Sequence, residues 1–568
     1  MDRKVLTSVN MKMRKVNTRF RFIKRAVCVL LVFMSYFGFV DIARQPSRYF
    51  ASDQLTSPYI YTEDKGFTFF YLYSESFFRS IQFSVDAVQS FSINKIEKVS
   101  AREWLQEWKV AFFATPYAAE KSLYGEVSIY VLGNGDGFIH TTLKNEEATG
   151  RSIRYKTTIR DHRETADEET VTCYSFRYLS DGSLQIQKSK SQVFENQMCY
   201  IQLNRYQQII GSWLFSPYFH YYNKPNGLLE RSDTFACMDF TQNGNAISSE
   251  YRLRIEGNHI GENWSIISHR SILQIESAVT QKYLSTLDFN NKKIFTSQGF
   301  FYKTNQEGFM GETERTYYWD YSMYGMKSLL DFYENGTETL PYDLSLISLY
   351  ALIKNQNQQG YWSNHTVSLW LSEKYGIQDG YYDTRFNIDA GLFALQMYEK
   401  YSLSEGLLLA RKQGNLLMSF IQKGFTIKTK SYGYLIRDYI CLDHPDIKTH
   451  ASLNHLLNEA LFLRQLSKIT NEETYANSAK RIENGIKATE KLWYNKQSKD
   501  LNYCLDSRLH PSRTDYPLLT YHDLLRLIRY HQKHTHENLS IFIRLASFKE
   551  NWLIKKNLIQ VRKITKPE

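Results

Sequence analysis

The chain has 568 residues, 43% hydrophobic and 23% charged, which is ample for several sizeable cores and excludes a disordered or collagen-like polymer. Its net charge of +11 is concentrated at one end: nine Lys/Arg against a single Asp within residues 1–25 carry +8 of it, and the body is nearly neutral. That balance excludes the basic stripe on a folded surface that nucleic-acid binding requires, so no nucleic-acid partner is expected.

The basic segment 1–25 runs directly into an uncharged stretch at 26–40, AVCVLLVFMSYFGFV, closed by Asp41 and Arg44. The positive-inside rule puts residues 1–25 in the cytoplasm and everything after 44 outside it. The stretch is shorter than the roughly 20 residues of a typical span and falls near the length of a signal-peptide core. Its long basic lead, and the lack of a small-x-small site after Val40, favour an uncleaved single-pass signal anchor at 26–42 over a cleaved signal. The membrane is therefore an expected partner, with the body at a bacterial cell surface or in a Golgi lumen. The six Cys show no CxxC or Cys/His metal spacing; Cys173 and Cys199 are either a disulfide or two reduced thiols.

Residues 45–120 read as a linker and mixed region. From 121 to 310 the pattern is β-rich: VSIYVL at 127–132 is followed by Asn134-Gly135-Asp136-Gly137, and TVTCYSFRYL at 170–179 and SLQIQ at 183–187 flank Asp181-Gly182, a hairpin signal. From 315 to 540 the period becomes helical. Leu453, Leu456, Leu457, Ala460 and Leu461 lie on one face, and similar helices are predicted over 343–356, 386–401, 404–423, 471–493 and 519–533. Residues 541–568 read as a basic, solvated tail. The expected fold class is α+β and multidomain: an N-terminal membrane anchor, a β-rich sandwich or barrel in the middle, and a C-terminal α/α toroid.

No phosphate loop, nucleophile elbow, zinc HExxH or EF-hand is present. The polar and aromatic residues that could carry chemistry gather between the C-terminal helices: Asn355-Gln356 with Gly360-Tyr361-Trp362-Ser363, then RDYICLDHPDIKTHASLN at 437–454, then YCLDSRLHPSRTDYPLLTYHDL at 503–524. Together with Gly380-Tyr381-Tyr382, and with Asp443-His444-Pro445 at ungapped spacing from Leu453-Asn454, these segments resemble the C-terminal domain of D-glucuronyl C5-epimerases over about residues 343–535. That family converts D-glucuronate to L-iduronate within heparan-type chains. Its catalytic acidic–Tyr pair falls on Asp443 and His444, and its two later tyrosines fall on Tyr503 and Tyr516. His444 departs from the pattern, an imidazole replacing a phenol.

The resemblance implies a carbohydrate isomerase, specifically a uronosyl C5-epimerase on a heparan- or heparosan-type polysaccharide, acting by C5 proton abstraction and reprotonation. It requires no cofactor. Some members of the family carry calcium in the β region, though no ligands match here, and members form dimers. An anionic uronate-containing polysaccharide is thus the expected partner, and a homodimer a possible one.

The chemistry needs a base on one face of C5, an acid on the other, and a cation for the carboxylate. Tyr516 and His444 are the expected acid/base groups, Tyr503 supports, Asp443 orients, and Arg437, Arg508 or Arg513 holds the carboxylate. Trp362 and Tyr381 are expected sugar platforms. Simpler roles stand beside these: Asp443 and Asp515 as caps or turn formers, Tyr503 as rim packing, Trp362 and Tyr381 as core. Competing functions are a polysaccharide lyase or hydrolase on the same toroid, or a catalytically inactive envelope glycan-binding protein.

Overall fold

The computed structural model describes residues 58–559, apart from 73–77, 87, 118–121, 162–168, 180, 182, 190–192, 196, 206–207, 225–226, 233–235, 244–245, 289–291, 304–307, 324–329, 331–338, 431 and 536. Period-two alternation begins early. In Gly66–Leu72, Phe67, Phe69 and Tyr71 alternate with Thr68 and Phe70, and all three are fully buried. This strand pairs with Phe78–Asp86, which pairs with Arg151–Asp161, inside a seven-stranded antiparallel sheet. A second sheet has fourteen strands and includes the meander Val88–Arg102, Leu105–Pro116, Leu123–Leu132 and Gly137–Lys144. Side chains of both sheets meet in one core: Phe67, Phe83 and Tyr155 from the first, Phe112, Ile129 and Trp213 from the second.

The ten helices among the described residues are α1 (Ala278–Leu287), α2 (Leu340–Asn355), α3 (Leu369–Tyr375), α4 (Thr384–Tyr401), α5 (Ser404–Gln422), α6 (Leu453–Thr470), α7 (Glu473–Ala488), α8 (Glu490–Trp493), α9 (Leu519–His534) and α10 (Ser540–Lys555). The far face of the large sheet carries Trp104, Tyr130, Phe138 and Trp264. It shares a core with Leu344 of α2, Phe393 of α4 and Trp362. Helices α4, α5, α6, α7, α9 and α10 close around a further core centred on Leu456, Phe462 and Leu527. The large sheet is thus covered on one face by the smaller sheet and on the other by helices.

The expected fold class does not hold. Strands begin at Tyr59 rather than 121, so the supposed linker at 45–120 supplies strands to both sheets, and they continue to Trp319. The strand Val88–Arg102 escaped recognition because most of its residues face solvent, so no apolar alternation marks it. The helical half is not a plain toroid of helices: small antiparallel sheets formed by 382–383, 426–440, 451–452 and 494–514 interleave with its helices. Nor is 541–568 a solvated tail throughout, since α10 buries Phe542, Leu545, Ala546, Lys549 and Leu553. The segments 1–25 and 26–42 lie outside the described residues; among the described residues no helix is long and apolar enough to cross a membrane. Cys173 and Cys199 are free thiols.

Candidate active site

Short strands placed just before helices gather one cluster of polar and aromatic groups. Tyr382–Asp383 leads into α4 and pairs with Tyr439–Ile440, setting Asp383 opposite Tyr439. Ala451–Ser452 leads into α6 and pairs with Asp500–Leu505, which also pairs with Pro511–Thr514. Residues 383, 438–440, 450–455, 503 and 513–516 are thereby drawn together. Asp383 caps α4, its Oδ1 accepting from the Phe386 N–H at 3.1 Å.

Asp438 is fully buried at the centre. It accepts the Ser452 N–H at 2.8 Å and the Ser452 hydroxyl, and meets His450 Nε2 at 3.1 Å and His455 Nδ1 at 3.7 Å. Burial pushes its carboxyl up, but His455, His450 and Ser452 outweigh that and hold it below the usual carboxylate range. The other nitrogen of His450, Nδ1, lies 2.9 Å from the Tyr375 hydroxyl. Tyr375, His450 and Asp438 thus form a chain from a half-buried phenol to a buried carboxylate. His455 shares Nδ1 with the Thr384 hydroxyl at 2.8 Å, and burial drives it down to about 4, so its imidazole is neutral at pH 7.

Aromatic rings wall the cluster. Around His450 lie Trp370, Tyr439 and Tyr503, at centroid distances of 4.9, 5.5 and 5.9 Å. Tyr503 meets Tyr516 edge-on at 5.4 Å. Burial raises the phenols of Tyr439 and Tyr503 well above 10 and raises that of Tyr516 despite Arg513 nearby, so all three keep their protons at neutral pH. Tyr516 is the group that reaches solvent, 43% exposed against 5% for Tyr503. Burial also pushes Asp383 up to about 7, with Asp438 adding to the rise and the Phe386 and Arg385 N–H groups opposing it. At the rim, the Arg513 guanidinium lies 4.0 Å above the Trp370 ring; its residue is held at φ 63°, a left-handed conformation costly for a side chain other than Gly.

Two of the expected catalytic residues, Tyr503 and Tyr516, meet here, and Arg513 stands beside them. Arg437 is buried next to Asp438 and donates to the Thr449 carbonyl at 3.4 Å. Asp443 and His444 are instead on an exposed turn, where the His444 N–H bonds the Cys441 carbonyl at 3.3 Å. Arg508 is exposed, its N–H on Asp506. Trp362 is fully buried, with Nε1 on the Leu352 carbonyl at 2.9 Å, and Tyr381 packs edge-on against Tyr439 with 2% exposure. Neither offers a face to a sugar. Asp515 is structural: it accepts from Thr520 at 2.6 Å and pairs with buried Lys549 at 2.9 Å.

Sequence reasoning missed Asp383, Tyr375, Asp438, Tyr439, His450 and His455. One signal was available. Asp438-Tyr439 is itself an acidic–Tyr pair, five residues before Asp443-His444, but the ungapped spacing to Leu453-Asn454 selected the later pair. Among the described residues no group of three or more His, Cys, Asp or Glu is placed to hold a metal ion.

The chain matches no known family model and no curated protein. Solved structures with some likeness include a D-mannose isomerase (13% identity, 42% of this chain and 58% of that one, TM-score 0.32). A cellobiose 2-epimerase from Bacillus thermoamylovorans shares 14% identity over 43% of this chain and 61% of its own, with TM-score 0.32. A family 76 glycoside hydrolase from a bovine Bacteroides thetaiotaomicron strain shares 12% identity over 73% and 77%, with TM-score 0.34. The chain spans 58% of the mannose isomerase's length. Scores this low carry no conclusion about fold or activity.

Proposed function

We propose that this chain is a carbohydrate-active enzyme, and within that class a uronosyl C5-epimerase that takes the C5 proton from a uronate in a polysaccharide and returns one to the opposite face. The observation that carries the reading is Asp383, a buried carboxyl poised at about 7 opposite Tyr439 and within the electrostatic reach of Tyr516. A carboxylate of that strength is a base matched to neutral pH, and protonated phenols are matched to give a proton back. C5–H lies alpha to a carboxylate, so its removal builds negative charge on the carboxylate oxygens. Arg513, at the rim, acts electrostatically on the exposed phenol and is suited to meet that charge. In this scheme Asp383 removes the proton and Tyr516 delivers one from the other side. Tyr503 holds Tyr516 in place, and Tyr375, His450 and Asp438 position the aromatic wall beside them.

A hydrolase is the second reading, because Asp383 and Asp438 have environments that push their carboxyls in opposite directions, the pattern of an acid and its partner carboxylate. Incubating the full chain in detergent with de-sulfated heparosan in D₂O separates these. Deuterium at C5 together with iduronate is the expected outcome. New reducing ends without exchange would establish the hydrolase, unsaturated ends a lyase, and binding with no chemistry would overturn the enzymatic reading.

A further inference from the structure

Trp370, the second residue of α3, takes no part in proton transfer, yet it touches both the buried cluster and the rim of the candidate site. Its indole packs on the apolar group formed by Leu371, Ile377 and Tyr381. The helix beneath it is fixed at both ends: the Ser368 hydroxyl accepts from the Leu371 N–H at 3.4 Å, and Gly376 ends α3 in the left-handed conformation. The indole lies 4.9 Å from the His450 ring and 6.4 Å from that of Tyr439. The Arg513 guanidinium lies 4.0 Å from its centre. Lys374 Nζ lies 5.5 Å from the same ring, but it comes from α3 itself and so ties no other segment to it.

Arg513 reaches that ring from a strained backbone. Pro511–Thr514 runs against Asp500–Leu505 with Ser512 opposite Cys504 and Thr514 opposite Asn502, so Arg513 stands across from Tyr503. At φ 63° in the middle of this strand, its side chain is re-aimed away from the ordinary strand direction. A left-handed residue other than Gly persists only where its surroundings over-determine it. The stack on Trp370 is a contact able to do so, because a cation–π attraction is of the same order as the backbone cost. Among the described residues no carboxylate pairs with Arg513, so the stack leaves its N–H donors free for a ligand.

We propose that Trp370 is a positioning residue, whose indole holds the strained Arg513 side chain ready to receive a ligand carboxylate. The assignment rests on the reading that Arg513 meets the carboxylate of the bound sugar, and deepens it by naming what fixes the guanidinium. A free Arg side chain must be ordered each time a ligand binds, and that ordering weakens binding. Stacked on a half-buried ring that is itself anchored, the guanidinium keeps one plane and presents its N–H edge in one orientation, the arrangement that a carboxylate fork requires. Trp370 therefore acts on a carboxylate through Arg513 and makes no contact of its own with the sugar.

The test is a double-mutant cycle, read by NMR titration of the full chain in detergent with methyl glucuronide, and with uncharged methyl glucoside as control. Arg513→Gln should weaken glucuronide binding about tenfold and Trp370→Leu about fivefold. The double variant should bind no more weakly than Arg513→Gln alone. Trp370→Tyr keeps a flat face for the guanidinium and should stay within about twofold of wild type. None of the four should change the response to the glucoside. An effect of Trp370→Leu that is the same with and without Arg513, or the same for glucuronide and glucoside, would mean that the indole touches the sugar or only packs, and would overturn the positioning role. Glucuronide binding untouched by Trp370→Leu, or absent in the wild type, would overturn it too. The cycle needs no turnover. Glucuronide binding in the expected pattern without C5 exchange keeps the positioning role and loses the epimerase reading, whereas exchange with additive effects loses the positioning role alone.

Discussion

Asp383 is the residue on which the chemistry turns. A base must be ionised to act, so the rate of C5 exchange should rise with pH through about 7, where Asp383 titrates, and stay high until the phenols begin to lose their protons. Asp383→Asn should lower exchange by about 10²–10⁴-fold and abolish the rise, and Tyr516→Phe should cost a similar factor. A pH–rate profile of Asp383→Asn that keeps the wild-type inflection would remove Asp383 from the base role. The two histidines give a second contrast. His444 is exposed on its turn, so His444→Ala should leave exchange within about twofold. His450 sits between Tyr375 and Asp438, and His450→Gln should lower exchange at least about tenfold. Tyr503 and Tyr516 were legible because their positions matched a pattern, whereas Tyr375 and Tyr439 were not. Asp383 and His450 were not, since short strands between helices bring them in from elsewhere in the chain and no local periodicity announces such pairings.

Among the elements, long helices were the most legible. Predicted spans at 404–423 and 519–533 correspond to Ser404–Gln422 and Leu519–His534, because each carries a wide apolar face. The last helix was lost among charges. Its residue Lys549 looked like part of a basic tail, yet its ammonium is fully buried between Asp500, at 2.7 Å, and Asp515, at 2.9 Å. That triad ties α10 to the strand Asp500–Leu505 and to the segment that carries Tyr516. Lys549→Met leaves two buried carboxyls without their cation and should destabilise the fold by about 3–5 kcal/mol, read as a drop in the urea midpoint. Adding Asp500→Asn and Asp515→Asn to Lys549→Met removes the orphaned charges and should recover most of the loss. If the triple variant is no more stable than Lys549→Met, packing rather than charge is what Lys549 contributes.

At the scale of the whole molecule, the β-rich and helical regions are joined by a shared core and by buried polar contacts across the junction, and the latter link stability to pH. The hairpin turn at Asn134–Asp136 was expected from sequence; what it touches was not, because the contact spans more than two hundred residues. Asn134 Nδ2 donates to Asp343 Oδ1 at 2.8 Å, in the first turn of α2, and Asp136 and Asp343 are both fully buried. Burial, reinforced by Asp136, raises the Asp343 carboxyl well above its ordinary value. A carboxyl raised in the fold is protonated there while the same group in the unfolded chain ionises near 4. Its stabilising contribution is therefore complete below about pH 4 and is lost as pH rises from there toward the folded value. Asp383 and Asp515, at about 7 and about 6, act in the same direction, whereas His220 and His455, both driven to about 4 by burial, act in the opposite one. The net slope mixes these groups, so the informative quantity is the difference between wild type and Asp343→Asn. An amide keeps the acceptor for Asn134, offers a donor to Asp136, and does not titrate. Asp343→Asn should be more stable than wild type at pH 8, by about 1–3 kcal/mol, with the gap closing by pH 4–5. Urea midpoints of the two proteins at pH 5 and pH 8 test this: parallel shifts would show that burial at the junction does not raise the Asp343 carboxyl.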